Sequence, residues 1–329
     1  MLSEKKHKTK TTVMTVEVSR GTTHDGPGMR TTVFTKGCPM SCRWCQNPES
    51  ISPKQEIWYE AAKCVGCLEC VKICRSNALE YGEAGIKICR SRCSGCGECS
   101  SICPSRAISV TGTVWTADGL VREVMKDKAY YDEFGGGVTV SGGEPLMHAD
   151  FLSGFFLKLK ENGIHTALDT CGCVSEASVM KVMPHLDAVL YDIKLMDPAK
   201  HREFTGRGNQ KILENLKAIV KYIRRAKKEE GRKISLWIRT PLIPGDTDAQ
   251  ENIVQIAGFI AKNISDDIEL WELCAFNPAC AAKYIKMQKN WHYDKTAPMN
   301  HSEIDKTKEL VLSRKIPENK LIITGLTKQ

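Results

Sequence analysis

The chain has 329 residues, a formal net charge of +8 and 42% hydrophobic residues, enough for a core in one large barrel or two domains. No apolar run reaches the roughly 18 residues that a membrane span needs, and no apolar stretch follows the N-terminal lysines as in a secretory signal. A cytoplasmic protein without a membrane span is therefore predicted. The sixteen cysteines would stay reduced there, so metal binding is favoured over disulfides.

The N-terminal part of the sequence predicts a tail, two strands and a turn. Residues 1–12 are polar and lysine-rich, which is typical of a flexible tail. Met14–Ser19 alternates apolar and polar residues as a strand does, and the turn Asp-Gly-Pro-Gly-Met-Arg follows at residues 25–30. Thr31–Phe34 is β-branched and aromatic, so a second strand is predicted to lead into the next loop.

That loop holds three cysteines, Cys38, Cys42 and Cys45, in a C-x3-C-x2-C pattern. A cubane iron–sulfur cluster normally takes four protein thiolates, so three donors leave one iron open to a small molecule. Trp44 adds a flat apolar face beside the cluster. The spacing alone leaves two alternatives open, a zinc site with a distant fourth ligand or three unrelated cysteines.

The cysteine spacing resembles that of the radical S-adenosylmethionine (SAM) superfamily. With the preceding turn, residues 25–50 are similar to a motif of glycyl radical enzyme activating enzymes, D-G-P-G-x-R-x-x-x-F-x-x-G-C-x-x-x-C-x-W-C-x-N-P-E-S. The resemblance implies that the open iron binds the methionyl amine and carboxylate of SAM. Reductive cleavage then gives methionine and a 5′-deoxyadenosyl radical, which takes a glycine α-hydrogen from a glycyl radical enzyme.

Residues 51–110 contain a two-fold repeat with the ferredoxin spacing C-x2-C-x2-C-x3-C, which favours two [4Fe-4S] clusters over two zinc ribbons. The fourth cysteine of each copy is expected to bind the other cluster. One cluster is therefore predicted on Cys64, Cys67, Cys70 and Cys103, and the second on Cys93, Cys96, Cys99 and Cys74. Cys89 lies outside both copies and is predicted to be a buried thiol.

The positive charge does not indicate nucleic-acid binding. Three bound clusters would lower the net charge to about +3, because thiolates and irons together carry negative charge. The basic stretch between Arg224 and Lys233 also carries Glu229 and Glu230, which is typical of a solvated helix end.

After the insert, predicted strands and helices alternate, which is typical of a parallel sheet. The strands are Val138–Val140, His165–Asp169, Ala188–Ile193, Ile234–Arg239, Ile268–Leu273 and Leu321–Thr324, and the helices are Asp118–Lys126, Phe151–Glu161, Glu176–Met183, Ile212–Lys228, Glu251–Asn263 and Ser302–Arg314. The predicted fold is α/β, a partial (β/α)6 barrel of the radical SAM type at residues 13–50 and 111–329, with a ferredoxin-like insert at 51–110. Functional groups should lie at the C-terminal strand ends.

Four of those strand ends carry candidate cofactor residues. A Gly-Gly-Glu-Pro turn ends the first strand after the insert, and the resemblance implies that it binds the methionyl amine through Gly142, Gly143, Glu144 and Pro145. Two aspartates end the next two strands, where they would bind a hard cation or cap helices. The resemblance implies a monovalent cation on Asp169, Thr170, Asp192 and the carbonyl of Leu190, with Lys194 and Arg239 near the cofactor.

Asn277 departs from the family pattern, which has a histidine contacting SAM in a Pro-Tyr-His-x-x-Gly stretch. A contact through the amide is expected there instead. Four further cysteines without ligand spacing are predicted to be core or channel-wall thiols, namely Cys171, Cys173, Cys274 and Cys280.

The resemblance also implies partners. Asp25 and Arg30 are predicted to line a lateral gap that admits the glycyl radical enzyme, and a flavodoxin or ferredoxin is expected to supply electrons through the insert. Residues 291–301 match no motif and are a candidate for partner choice, and a monomer is expected. Two alternatives stay open: a radical enzyme acting on a small metabolite, and a plain electron carrier, which would need only the insert.

Overall fold

The computed structural model describes residues 12–325, so the predicted tail lies outside the described residues except for Thr12, which begins the first strand. Within this range there are thirteen strands: β1 (Thr12–Thr22), β2 (Arg30–Thr35), β3 (Glu56–Tyr59), β4 (Leu79–Gly82), β5 (Gly85–Ile88), β6 (Ile108–Thr111), β7 (Thr113–Thr116), β8 (Gly137–Gly142), β9 (His165–Thr170), β10 (Ala188–Asp192), β11 (Ser235–Leu242), β12 (Leu270–Ala275) and β13 (Leu321–Thr324).

The same range contains eleven α-helices. They are α1 (Glu69–Ile73), α2 (Glu98–Ser101), α3 (Ala117–Val124), α4 (Lys128–Phe134), α5 (Ala149–Glu161), α6 (Glu176–Val182), α7 (Pro198–Thr205), α8 (Gln210–Glu230), α9 (Gln250–Asn263), α10 (Ala281–Lys286) and α11 (His301–Leu312). No helix in residues 12–325 is long and apolar enough to cross a membrane.

Nine strands form one sheet in the order β13-β12-β11-β10-β9-β8-β2-β1-β7. The seven strands from β13 to β2 are mutually parallel, whereas β1 is antiparallel to both of its neighbours. The predicted mostly parallel α/β sheet is thus confirmed. The sequence interpretation did not include β7, a run of only four residues that pairs with β1 far away in the chain.

The core explains why the helices form where they do. In α8 the buried residues Ile212, Leu216, Ile219 and Ile223 recur every three to four positions, so one face of the helix packs on the sheet. The central strands β8 and β10 are buried along nearly their whole length, as expected of parallel strands that are covered on both faces. Since parallel strands end at the same edge, the loops after β2, β8, β9, β10 and β11 meet there.

Residues 56–111 have a small core of their own and show the two-fold repeat in their backbone. An offset of 29 residues relates Cys64 to Cys93 and also relates β3 to β5 and β4 to β6. The pairing follows the same symmetry, because β3 pairs with β6 and β4 pairs with β5. Left-handed residues recur at the same offset, Leu68 with Gly97 and Asn77 with Arg106.

The prediction that Cys89 is a buried thiol is wrong. Cys89 is half-buried in a tight turn, where the N–H groups of Arg92 and Cys93 donate to its carbonyl oxygen. Hydrogen bonds from Ser91 and Arg92 lower the pKa of its thiol to about 7. The turn, rather than the core, determines its position.

Arg30 cannot line a partner gap, because its side chain is fully buried at the start of β2, the end opposite to the cysteine loop. Its guanidinium donates to Thr139 Oγ1 (2.6 Å), the Pro27 carbonyl (2.9 Å) and the Val138 carbonyl (2.9 Å). Arg30 therefore fastens the turn at residues 25–30 to β8. Burial lowers the pKa of the guanidinium to about 10.

We expect Arg30→Met to lower the free energy of unfolding by roughly 2–5 kcal/mol, because two buried carbonyls lose their donors. Urea unfolding followed by circular dichroism measures the change. Arg314→Met, which removes an exposed arginine after α11, is the matched control and should change little. An Arg30 variant as stable as the Arg314 variant would contradict this assignment.

Candidate active site

A cavity of about 340 Å³ opens at the C-terminal ends of the parallel strands. Its volume lies within the usual range for small-molecule sites. The cavity is lined by the turn before β2, by the ends of β8 to β12 and by the loops that follow β2, β8, β9 and β10. The lining residues include Asp25, Cys38, Cys42, Trp44, Cys45, Gly142, Gly143, Asp169, Thr170, Cys171, Asp192, Lys194, Arg239 and Cys274. Most of the predicted cofactor residues thus meet in one place.

The loop with the three cysteines is held by its backbone. The N–H of Gly37 donates to the Ser50 carbonyl (2.7 Å), and the N–H of Cys38 donates to the Ile51 carbonyl (3.0 Å). Further along, the N–H of Ser41 donates to the Thr205 carbonyl at the end of α7 (2.8 Å). These bonds occupy main-chain groups only, so the three thiols stay available to a ligand.

Burial makes free thiolates costly at two of the three cysteines. It raises the pKa of Cys42 to about 12 and also raises that of Cys45, whereas a hydrogen bond from Cys171 lowers the pKa of Cys38. Metal binding would therefore displace protons from these thiols. In residues 12–325 no group of three or more His, Cys, Asp or Glu side chains converges on a single ion. A cubane does not require such convergence, because each iron takes its own thiolate.

Gly142 and Gly143 bring the next loop against the cysteine loop. A Cβ on Gly142 would collide with the backbone of Thr35, and one on Gly143 would collide with the carbonyl of Gly37. This close approach lets the N–H of Gly143 donate to the Thr35 carbonyl (2.9 Å) and that of Glu144 donate to the Gly37 carbonyl (2.8 Å). The glycines are therefore needed for packing as well as for any ligand.

The Glu144 side chain does not reach the cavity, which corrects its predicted contact with a ligand amine. The carboxylate is fully buried and accepts from Thr170 Oγ1 (2.7 Å), the Cys171 N–H (2.9 Å) and the Leu146 N–H (3.0 Å). Burial nevertheless raises its pKa. Glu144 positions the ends of β8 and β9, and Pro145 is buried at the start of the following 3-10 turn.

The residues predicted to hold a cation already have protein partners. Asp192 pairs with Lys194 (2.5 Å), and Asp169 accepts from Ser141 Oγ (2.7 Å) and lies 3.3 Å from Arg239. The Thr170 hydroxyl donates to Glu144. Burial, together with the charges of Asp192 and Asp25, raises the pKa of Asp169 to about 6 despite Arg239.

Asp25 lies inside this cavity rather than at a lateral gap. Its carboxylate accepts from Thr32 Oγ1 (2.8 Å) and lies 3.8 Å from Arg239, which also pairs with Glu272 (2.9 Å). Buried acids thus outnumber the two cations, Arg239 and Lys194. A ligand with a positive charge would be favoured in this cavity.

Asn277 is not among the residues that line the cavity. Its side-chain oxygen accepts from the Ala279 N–H (2.8 Å), and its carbonyl accepts from the Gln46 amide (3.0 Å). The asparagine therefore caps the short turn before α10 instead of contacting a ligand. Of the four unassigned cysteines, Cys171 and Cys274 line the cavity, whereas Cys173 and Cys280 pack beside it.

Residues 278–293 support the cysteine loop, a role that the sequence interpretation missed. Tyr284 donates to the Cys45 carbonyl (2.9 Å), and the Trp291 indole donates to the Arg43 carbonyl (3.1 Å). Trp291 and Tyr293 are buried in an aromatic cluster together with Phe276 and Trp44. The only signal in the sequence was three aromatic rings, at positions 291–293, without a periodic pattern.

The insert brings its cysteines together in the crossed arrangement. One small cavity is lined by the first three cysteines of the first copy and the last of the second, Cys64, Cys67, Cys70 and Cys103. Burial raises the pKa of Cys99 to about 11, and the neighbouring thiols of Cys93, Cys96, Cys70 and Cys74 act in the same direction. The fourth cysteine of the second copy, Cys103, therefore lies with the first copy's triplet, and Cys74 lies near Cys99 of the second copy.

Comparisons with known proteins agree with this geometry. Residues 85–257 match the Radical SAM superfamily, and residues 24–76 match a 4Fe-4S single cluster domain. The chain is 37% identical to the isethionate sulfite-lyase activating enzyme of Nitratidesulfovibrio vulgaris over 90% of this chain and 92% of the relative. It is also 37% identical to the trans-4-hydroxy-L-proline dehydratase activating enzyme of Clostridioides difficile, over 90% and 95% respectively.

The chain belongs to the glycyl radical enzyme activating enzymes of the radical SAM superfamily. The family predicted from residues 25–50 is thus confirmed. Such an activating enzyme uses SAM and an iron–sulfur cluster to generate a radical on a glycyl radical enzyme. Among solved structures, a domain of a pyruvate-formate lyase-activating enzyme from Bacteroides vulgatus is 26% identical over 58% of this chain and 99% of that chain, with a TM-score of 0.45.

We expect Asp169→Asn to stabilise the ligand-free activating enzyme and to weaken SAM binding. The raised pKa means that the folded state favours protonated Asp169. The stability that this protonation contributes is present below pH 3.8 and is lost as the pH rises through about 6. At pH 7 the variant should gain up to about 3 kcal/mol in unfolding free energy. Calorimetry should show at least a tenfold loss of SAM affinity, since a negative charge is removed from the cavity that is predicted to bind this cationic ligand.

Asp150→Asn, at an exposed aspartate paired with Lys181, is the control and should change neither quantity. Unchanged SAM affinity in the Asp169 variant would exclude Asp169 from the binding site.

We expect Trp291→Ala to loosen the cysteine loop. It removes a buried indole and the donor to the Arg43 carbonyl, at a cost of roughly 3–5 kcal/mol. Iron transfer to a chelator under anaerobic conditions should be several-fold faster than in the parent protein. His292→Ala, at the neighbouring exposed position, should lose iron at the rate of the parent protein. Equal rates of iron loss in the two variants would contradict the conclusion that Trp291 supports the cysteine loop.

Proposed function

We propose that this activating enzyme binds SAM in the cavity at the strand ends, beside a [4Fe-4S] cluster held by Cys38, Cys42 and Cys45. The observation that carries the proposal is that three cysteines free of disulfides and three aspartates, Asp25, Asp169 and Asp192, line one cavity. A cluster bound there supplies the electron that cleaves SAM to methionine and a 5′-deoxyadenosyl radical. The radical takes an α-hydrogen from a glycine of the partner.

The side chains of the cavity have distinct tasks in this proposal. Lys194 and Arg239 offer positive charge to the methionyl carboxylate, while Asp169 and Asp25 offset the charge of the sulfonium and the amine. Trp44 closes the apolar side of the cavity, and the backbone of Gly142 and Gly143 approaches the ligand closely. A monovalent cation at Asp169, Thr170, Asp192 and the Leu190 carbonyl is compatible with this arrangement only if it displaces present partners.

The insert is proposed to hold two further [4Fe-4S] clusters in a ferredoxin-like domain. Its support is the 29-residue symmetry of the backbone and the crossed grouping of the cysteines. Electrons from a flavodoxin or ferredoxin would pass through these clusters to the cluster in the cavity. A cytoplasmic monomer fits this scheme.

The partner's glycine is proposed to reach the cavity as an extended segment. The sheet is open in the described residues, because β13 and β7 are its two edges and do not pair. An open sheet supports the proposed partial barrel, in which a lateral entrance would lie between the two edges. The relatives' names include a sulfite-lyase and a dehydratase, so glycyl radical enzymes of these two types are the partners to test first.

The alternative is a radical reaction on a small metabolite, and one experiment separates the two. We expect the reduced protein to produce 5′-deoxyadenosine and, in the same anaerobic sample, a glycyl radical on a partner from that panel. Liquid chromatography and electron paramagnetic resonance measure the two products. The parent should bind about twelve irons, and Cys38→Ala/Cys42→Ala/Cys45→Ala should lose about four irons and both products.

Cys89→Ala, outside all three cysteine sets, is the control and should retain both products. Zinc in place of iron would refute the cluster assignment. Production of 5′-deoxyadenosine without a protein radical on any partner would favour a small metabolite.

A further expectation concerns the relay, that is, electron transfer through the two insert clusters to the cluster in the cavity. Cys64→Ala/Cys93→Ala should activate the partner poorly with a flavodoxin or ferredoxin as donor, yet cleave SAM with a strong chemical reductant. Cleavage as low as in the triple variant, despite an intact cavity cluster by electron paramagnetic resonance, would exclude a relay.

A further inference from the structure

The two halves of the insert differ at one buried charge. Arg92 before Cys93 corresponds to Lys63 before Cys64, and each is exposed and paired with a glutamate, Glu80 and Glu60 respectively. Two residues earlier the symmetry fails, because Arg90 corresponds to Ala61. Only the second copy therefore has a guanidinium at this position.

The Arg90 side chain is held between the insert and the rest of the chain. One of its terminal nitrogens donates to the Met287 carbonyl (2.7 Å), just after α10. The Gln288 side chain makes a second connection, accepting from the Ile88 N–H (2.9 Å) and donating to the Ile86 carbonyl (2.6 Å). These contacts hold Arg90 and the strand β5 against the residues that follow α10.

Two other nitrogens of the same guanidinium, Nε and Nη1, are shielded from solvent and have no hydrogen-bond partner among residues 12–325. The charged or ionisable groups that face it are Glu56 and Cys93. Glu56 already lies 3.4 Å from Lys36 and 3.9 Å from Lys289. A buried N–H without an acceptor is unfavourable. Because Glu56 is shared by two lysines, an acceptor is expected on the side of Cys93, three residues further along the chain.

We propose that Arg90 directs its charge and two N–H groups at the second insert cluster, on Cys93, Cys96, Cys99 and Cys74, and raises its reduction potential above that of the first. The proposal rests on the two-cluster insert of the proposed function. Reduction adds one negative charge to a cluster, and a nearby buried positive charge with N–H donors stabilises that state. An electron in the insert then resides on the second cluster, whose loop packs against Gln55 in the segment that leads from the cysteine loop.

The test is a potentiometric titration followed by electron paramagnetic resonance. The full-length Cys38→Ala/Cys42→Ala/Cys45→Ala protein leaves only the insert clusters in the signal. We expect two midpoint potentials in this background. Arg90→Gln should lower the higher one by about a tenfold change in the reduction equilibrium, or about 59 mV for one electron, and leave the other unchanged. Arg90→Lys, which retains the charge, should restore most of the difference.

Two control variants separate charge from structure. Arg92→Gln removes an equal but exposed charge next to Cys93 and should shift neither midpoint comparably. Gln288→Ala loosens the contact with α10 but retains Arg90, so both midpoints should stay near the parent values. Unchanged midpoints in Arg90→Gln, equal shifts of both, or the same shift in Gln288→Ala would overturn the proposal. An insert that binds no iron would overturn the two-cluster assignment as well, and iron content measured beforehand distinguishes that failure.

Discussion

The backbone of residues 37–47 is fastened to several neighbouring elements, while its three thiols remain in the cavity. Its first residue is bonded to Ser50 and to Glu144, its middle to the end of α7, and its far side to Tyr284 and Trp291. Each hydrogen bond contributes about 1 kcal/mol net, so no single one fixes the loop. Together they keep three metal-binding side chains in place without using those side chains as anchors.

The cavity beside this loop is electrostatically costly. Four acids and two cations lie in or next to it, largely buried, and the pKa of Asp169 is raised to about 6 as a result. Buried charges of this kind are weak sources of stability. In the proposed function, a ligand with a sulfonium, an amine and a carboxylate would offset these charges, so the same groups that are unfavourable in the free protein would favour binding of this ligand.

The parts of this protein that are close together in sequence could be predicted from it. The cysteine loop, the repeated ferredoxin spacing and the alternating strands are local patterns, and the family followed from residues 25–50. Glu144 and Arg30 were assigned wrong contacts, because a motif specifies a residue type and not the direction of its side chain after burial. The support from Trp291 was missed because it joins segments about 250 residues apart, and β7 because a four-residue strand depends on its partner.

The central claim is that the cluster on Cys38, Cys42 and Cys45 leaves one iron for SAM. Electron–nuclear double resonance on the reduced protein with SAM labelled by ¹⁵N at the amine and ¹⁷O at the carboxylate tests this claim directly. We expect hyperfine coupling of both labels to this cluster, and loss of the coupling in the triple cysteine variant. Bound labelled SAM without any coupling would contradict direct coordination and with it the function proposed for the cavity.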